Sequence, residues 1–238
     1  MKSFISFHIR DAGLMFLSVG SGSSDALAFV VFGSVFTSAM TGNTALIGIA
    51  SGRGHLTAAH LPILALIGFV AGAMLAVWIG RPGETNLVSK LRRIRTLLLM
   101  EIAALIGFAA VWHLSASPVD NPIVHLLVLL SAAAMGIQGI AARMVAEKGI
   151  NTIVLTSTML SIVTTITDRL LGRSKDAHLL ATARRQITVV VGYAIGAALT
   201  AFLTGWAFDL VPWPPLLAVT LACLCACTHK ELEHSTDR

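Results

Sequence analysis

One acid stands inside a stretch apolar enough to lie in hydrocarbon. Between Gly20 and Gly48 the chain reads GSGSSDALAFVVFGSVFTSAMTGNTALIG, with Asp25 near its start and the polar knot Thr41-Gly42-Asn43-Thr44 near its end. A carboxylate at membrane depth must be paired, protonated or hydrated, and such acids mark proton relays and cation sites. Asp25 is therefore read as a proton-coupling or cation-binding group; the blander reading is a carboxylate that caps a broken helix or pairs with Arg143. Ser21 and Ser24 flank it at helical spacing and could complete its hydrogen bonds, or could simply be small residues at a packed face. Thr41-Gly42-Asn43 has the residue types of an unwound turn. Glycine admits positive φ, and asparagine tolerates it while offering a donor and an acceptor. It reads as a solute-contact hinge, against a plain loop capped by Asn43.

The second half holds weaker echoes. Thr156, Ser157 and Thr158 fall where the knot falls in the first half, and Gln138 is placed to face Asp25 from the matching helix or merely to bridge helices. Arg143 reads as an interface anchor before a ligand. Glu101 could be a second coupling acid, or the partner of Arg95 near the membrane surface. His113 and His125 are interfacial polar tips first and proton donors second. Gly68-x-x-x-Gly72 and Gly192-x-x-x-Gly196 are close-packing motifs that meet around an internal axis or in a homodimer seam.

Other chemistries lack their residues. Cys223, Cys225 and Cys227 fan around one helix and match no metal-ligand spacing, so no metal is expected. There is no phosphate-cradling Gly-x-x-x-x-Gly-Lys, no Gly-x-Ser-x-Gly and no His-Glu-x-x-His. No cofactor is expected, and the chain is not read as an enzyme.

The elements that position these residues follow from hydropathy. The chain of 238 residues is 55% hydrophobic and 12% charged, with mean hydropathy +0.81; a soluble domain carries about 25% charge. This is a polytopic membrane protein in one domain, 1–238, touching lipid. Its net charge of +5 sits in short loops between apolar runs, which points to topology and not to nucleic acid. The N-terminal run has no clear cleavage site and is read as retained. Clean spans cover Leu61–Gly80, Thr96–Leu114 and Gln186–Trp206, with a short one at Leu216–Thr228. Two apolar regions, Ala12–Ala50 and Pro122–Ile166 with its interruption at Arg143 and Glu147–Gly149, are too long for one span of about 20 residues.

An internal repeat orders these blocks. Gly68-Phe-Val-Ala-Gly72-Ala matches Gly192-Tyr-Ala-Ile-Gly196-Ala, so residues 12–115 and 122–228 form two halves. Ten of the seventeen Lys and Arg residues lie in two loops, Arg81–Arg95 and Asp168–Arg185, both expected in the cytoplasm. The two loops that lack Lys and Arg, Ser115–Asn121 and Ala207–Pro215, are expected outside, and Ala207–Pro215 is the repeat equivalent of Arg81–Arg95. Equivalent loops on opposite sides mean two inverted three-helix repeats. The expectation is an all-α fold of six spans, both termini cytoplasmic, each overlong region making one crossing through a full helix and a broken or re-entrant segment. Arg53, in an outward loop, is the discordant charge.

The run Gly-Ser-Ser-Asp25-Ala-Leu-Ala-Phe, followed by Phe36-Thr-Ser-Ala-Met-Thr-Gly-Asn43-Thr, resembles the signature of the YoaK-like family of small bacterial inner-membrane proteins of unknown function. Ala134-Met-Gly-Ile-Gln138-Gly-Ile-Ala-Ala-Arg143 is similar to the family's second-half motif; Thr156-Ser157-Thr158 stands where that motif leads one to expect Thr-Gly-Thr. The resemblance implies fold and location and supplies no substrate. Inverted repeats with interrupted leading segments favour a transporter or channel for a small solute, proton-coupled through Asp25. A scaffold or accessory subunit, or an intramembrane enzyme acting on a lipid, are the alternatives.

Overall fold

The computed structural model describes residues 2–80, 87–115, 119, 122–145, 155–172 and 177–234, with side chains from 11–80, 89–115, 119, 122–145, 155–172 and 179–227. The interruption at Glu147–Gly149, the centre of the Ser115–Asn121 loop and parts of both basic loops lie outside the described residues. Among the described residues eight α-helices follow one another: α1 Lys2–Val31, α2 Met40–Gly52, α3 His60–Ile79, α4 Leu87–Leu114, α5 Ile123–Val145, α6 Leu155–Leu170, α7 Ala177–Trp206 and α8 Trp213–His234. Short 3₁₀ turns at Leu56–Ala59 and Phe208–Leu210 lead into α3 and α8. Among the described residues six helices are long and apolar enough to cross a bilayer: Asp11–Val31, Leu56–Ile79, Ser89–Leu114, Ile123–Val145, Leu179–Trp206 and Phe208–Cys227.

The two overlong regions each resolve into one long helix and one short one. The 13 residues of α2 reach about 20 Å and the 16 of α6 about 24 Å at 1.5 Å per residue, short of the ~30 Å of a hydrocarbon core. The break falls after the full-length helix, not within it. At the first break, Gly33 takes φ +94° and Ser34 φ +62°, and Ser34 N–H donates to the carbonyl of Phe29 at 2.9 Å. Glycine adopts that left-handed geometry freely; Ser34 adopts it at a cost. Where chain direction must reset before α8, Pro214 and Pro215 occupy the first helical turn, where a missing N–H costs nothing.

The long helices alternate in direction, and ring contacts mark one end of the bundle. Phe32 after α1 lies 6.3 Å from Trp112 of α4, His60 of α3 lies 5.2 Å from His125 of α5, and His113 of α4 lies 6.2 Å from Trp213 of α8. The opposite end gathers the cations: Lys90, Arg92, Arg93 and Arg95 where α4 starts, Arg143 where α5 stops, and Arg184 and Arg185 where α7 starts. Among the described residues Arg53, after α2, alone sits at the aromatic end.

Two parallel helix pairs form the centre, and both are closed by glycine. In the first, α1 meets α7: a Cβ on Gly22 would stand 2.0 Å from the carbonyl oxygen of Tyr193, and one on Gly196 2.1 Å from that of Val19. In the second, α3 meets α5: a Cβ on Gly72 would stand 2.1 Å from the carbonyl of Ala133, and one on Gly136 2.1 Å from that of Phe69. No side chain fits between backbones this close, so these positions need glycine. Each seam joins a helix of one half to a helix of the other. Gly68 and Gly72 thus pack on α5, and Gly192 and Gly196 on α1, rather than on each other. α8 covers α1, and α4 covers α5, completing a core in which Leu97, Leu98, Met135, Ala141 and Val219 are buried.

Candidate functional site

Asp25 lies on α1 about 9 Å from the helix end, by the α-helical rise, and only 2% of it is exposed. The chain after α1 folds back to reach it. Its Oδ1 accepts from the backbone N–H of Thr37 and of Ser38, each at 2.7 Å, and from the Thr37 hydroxyl at 3.3 Å. Its Oδ2 accepts from the Ser38 hydroxyl at 2.7 Å and from the Tyr193 hydroxyl of α7 at 2.6 Å. One carboxylate thereby joins a helix, the returning loop 32–39 and a helix of the other half. No cation among the described residues is paired with it.

Asn43 holds the same loop from its far side. Its side-chain amide accepts from Phe36 N–H at 2.9 Å and donates to the Phe36 carbonyl at 2.6 Å. This is the two-bond pairing that a strand neighbour would make, supplied by one fully buried side chain. The expectation of an unwound turn at Thr41-Gly42-Asn43 does not hold: these residues form the first turn of α2, and the non-helical stretch is 32–39. Positive φ falls at Gly33 and Ser34 instead. Gly42 has a steric reason, since a Cβ there would stand 2.8 Å from the Phe36 ring. Thr41 is exposed.

The remaining expected residues distribute around this centre. Gln138 does not bond to Asp25. Its Nε2 donates to the carbonyl of Leu17 at 2.5 Å and to the Ser21 hydroxyl at 3.1 Å, so it ties α5 to α1. Ser21 thus serves Gln138, and the buried Ser24 hydroxyl has no partner; neither completes the bonding of Asp25, because Thr37, Ser38 and Tyr193 already fill its lone pairs. Arg143 is exposed at the end of α5 and is not the partner of Asp25. Thr156, Ser157 and Thr158 lie in the first turn of α6, with Thr158 buried and the other two exposed. Glu101 is not a surface acid paired with Arg95. Helix α4 starts at Leu87, so Glu101 falls deep inside it, fully buried, with neither oxygen hydrogen-bonded.

Polar bonds run the length of the α1–α7 seam: Asp11 with Arg185 at 3.1 Å, the Ser18 hydroxyl to the Val189 carbonyl at 2.5 Å, and the Ser23 hydroxyl to the Gly196 carbonyl at 3.1 Å. Phe69 of the α3–α5 seam precedes Tyr193 by 124 residues, the offset between Gly68 and Gly192, and Gly139 lies 114 residues after Asp25, the same spacing that separates Gly22 from Gly136. The hydroxyl–carboxylate bond thus belongs to one seam only. Two surface grooves are lined almost wholly by apolar side chains. One, of about 650 Å³, runs between α1, α7 and α8 past Met15, Ile195 and Trp213; the other lies along α3 past Met74 and Trp78. Asp25 lines neither.

The family described as Protein of unknown function (DUF1275) matches residues 13–227, which is nearly the whole chain. The chain belongs to the DUF1275 family. A relative within it, the UPF0700 transmembrane protein YoaK of Bacillus subtilis (strain 168), is 29% identical over 215 residues, covering 88% of this chain and 91% of that protein. No solved structure matches. The resemblance carried by Asp25 and by Met40–Asn43 therefore stands, and this DUF1275 chain is a multi-pass membrane protein. Tyr193, Thr37 and Ser38 were not among the residues singled out from its sequence. Tyr193 had a signal: it is the chain's single tyrosine, in an apolar span, and follows Gly192 as Phe69 follows Gly68.

Proposed function

We propose that this protein is a small-solute transporter or channel of the bacterial inner membrane, built from two inverted three-helix repeats, with the Asp25 junction as its moving part. The observation that carries this reading is a buried intramembrane carboxylate that joins three chain segments through neutral donors alone. A proton on Asp25, or a cation drawn to it, would compete with the Thr37, Ser38 and Tyr193 bonds and free loop 32–39 from α1 and α7 together. The exchange of partners between the α1–α7 and α3–α5 seams supports the repeat, and the cations gathered at one end support a cytoplasmic placement of both termini. Lipid covers the remaining apolar faces, and a homodimer through one of them fits the same reading.

A second reading has its own support. Every lone pair of Asp25 that a donor can reach is already satisfied by protein, as a static scaffold requires. The two readings part on solute binding. Thermal stabilisation of the purified protein is measured across metabolite classes for the wild type and for Asp25→Asn. At least one class is expected to raise the wild-type melting temperature and leave the variant unmoved. Equal responses of the two proteins to every compound would take Asp25 out of solute binding and leave the scaffold reading.

A further inference from the structure

Glu101 occupies the centre of the core-facing stripe of α4. Ile94, Leu97, Leu98, Leu105, Phe108 and Trp112 share that stripe at three- and four-residue spacing, and all are buried. Its exposure is zero and neither carboxyl oxygen has a hydrogen-bond partner. A leucine or methionine would fill the position with no polar group to satisfy, so the acid is held there against packing. An uncompensated negative charge in this setting is the least tolerable state of the side chain.

The surroundings narrow what it binds. On α8 the ionisable group buried in the same cluster is Cys223, with Cys227 one turn beyond it toward the arginine end, and Arg95 lies six residues before Glu101 on α4, toward that same end. On α5, Gln138 lies at nearly the same depth. Glu101 stands thirteen residues before the end of α4 and Gln138 fifteen after the start of α5, about 20 and 22 Å along antiparallel neighbours. From α1, Leu17 packs into the same cluster, and Asp25 stands two turns further toward the aromatic end. The Oε1 of Gln138 is likewise unpartnered. A hard metal cation needs about six oxygens, which these two side chains do not supply. A proton needs one.

We propose that Glu101 is a proton-binding site, occupied in this conformation and distinct from the Asp25 junction. Loss of the proton would leave a carboxylate that needs a donor. The amide donor at that depth, Gln138 Nε2, is engaged with Leu17 and Ser21 of α1. Proton release at Glu101 and loosening of α5 from α1 are therefore linked. The assignment stands without the transport reading, because its test reads the proton and not a solute.

Difference infrared spectroscopy on the whole protein in lipid vesicles provides that test. The carbonyl stretch of a protonated carboxylic acid, shifted by deuterium oxide, is expected at neutral pH in the wild type, retained in Asp25→Asn and lost in Glu101→Gln. A wild type without the band, or a band that survives in Glu101→Gln, overturns the proposal. Should Glu101→Gln fail to fold, dicyclohexylcarbodiimide is applied to the wild type, because it adds to protonated carboxyls in apolar settings. An adduct on the Glu101 peptide at neutral pH, reduced at alkaline pH, is expected; its absence at every pH overturns the proposal.

Discussion

Gly22→Ala tests the central seam directly. The new Cβ would stand 2.0 Å from the carbonyl oxygen of Tyr193, and even a tight contact needs 3.0 Å, so α1 and α7 must part by about 1 Å at this level. The same displacement acts on two bonds across the seam. The Tyr193 hydroxyl bond to Asp25 starts at 2.6 Å, and the Ser23 hydroxyl bond to Gly196 at 3.1 Å. An added ~1 Å takes both beyond useful length. Overpacking costs about 1–3 kcal/mol, the lost bond to the Asp25 carboxylate about 1–3 kcal/mol and the neutral Ser23 bond about 1 kcal/mol, so the expected loss is about 3–7 kcal/mol. Gly107→Ala is the control: nothing lies within 4 Å of a Cβ there, and alanine gains up to about 1 kcal/mol of helix propensity. Unfolding in detergent micelles, followed by circular dichroism against denaturant, compares the two. A Gly22→Ala protein as stable as Gly107→Ala would mean that the helices do not touch where they are described as touching.

Two further outcomes are expected. Tyr193→Phe removes one hydrogen bond to a buried carboxylate without adding bulk, so it should cost about 1–3 kcal/mol in the same unfolding assay. It should also speed protease cleavage within loop 32–39; an unchanged cleavage rate would show that Tyr193 does not hold the loop. Reporters fused after Lys90 and after Arg169 should both report the cytoplasm, and opposite sides for the two would end the inverted arrangement.

The spans were legible because length and hydropathy are local properties. Ala12–Ala50 was visibly too long for one crossing and too short for two, and it forms one long helix and one of 13 residues. The small-residue motifs at Gly68/Gly72 and Gly192/Gly196 were legible as sites of close approach, but periodicity does not say which helix comes close, and each pair docks on the opposite half. The site was harder to read. Asp25 stood out by charge, while its donors are two residues of a loop and one from 168 positions away. Glu101 was misplaced because the basic run before Thr96 reads as loop, although it is helical from Leu87. The three- and four-residue spacing of Ile94, Leu98, Leu105 and Phe108 already aims Glu101 inward. Gly42 and Asn43 were misread because adjacent glycine and asparagine, both tolerant of positive φ, suggest a turn, and here a ring contact and a backbone clamp claim both residues inside a helix.

The span between Asp25 and Tyr193 also bears on how the protein is made. The carboxylate and its loop donors emerge from the ribosome together, but the tyrosine follows 168 residues later, roughly ten to thirty seconds at ordinary elongation speed. Through that interval α1 waits in the bilayer with its acid capped by nearby donors only, since α7 and α8, the helices that enclose it, are translated after it. Helix α1 is thus among the last to find its place, and in chains arrested before α7 emerges a cysteine introduced at Gly22, on the face that α7 later covers, should react with labelling reagents that the finished chain excludes.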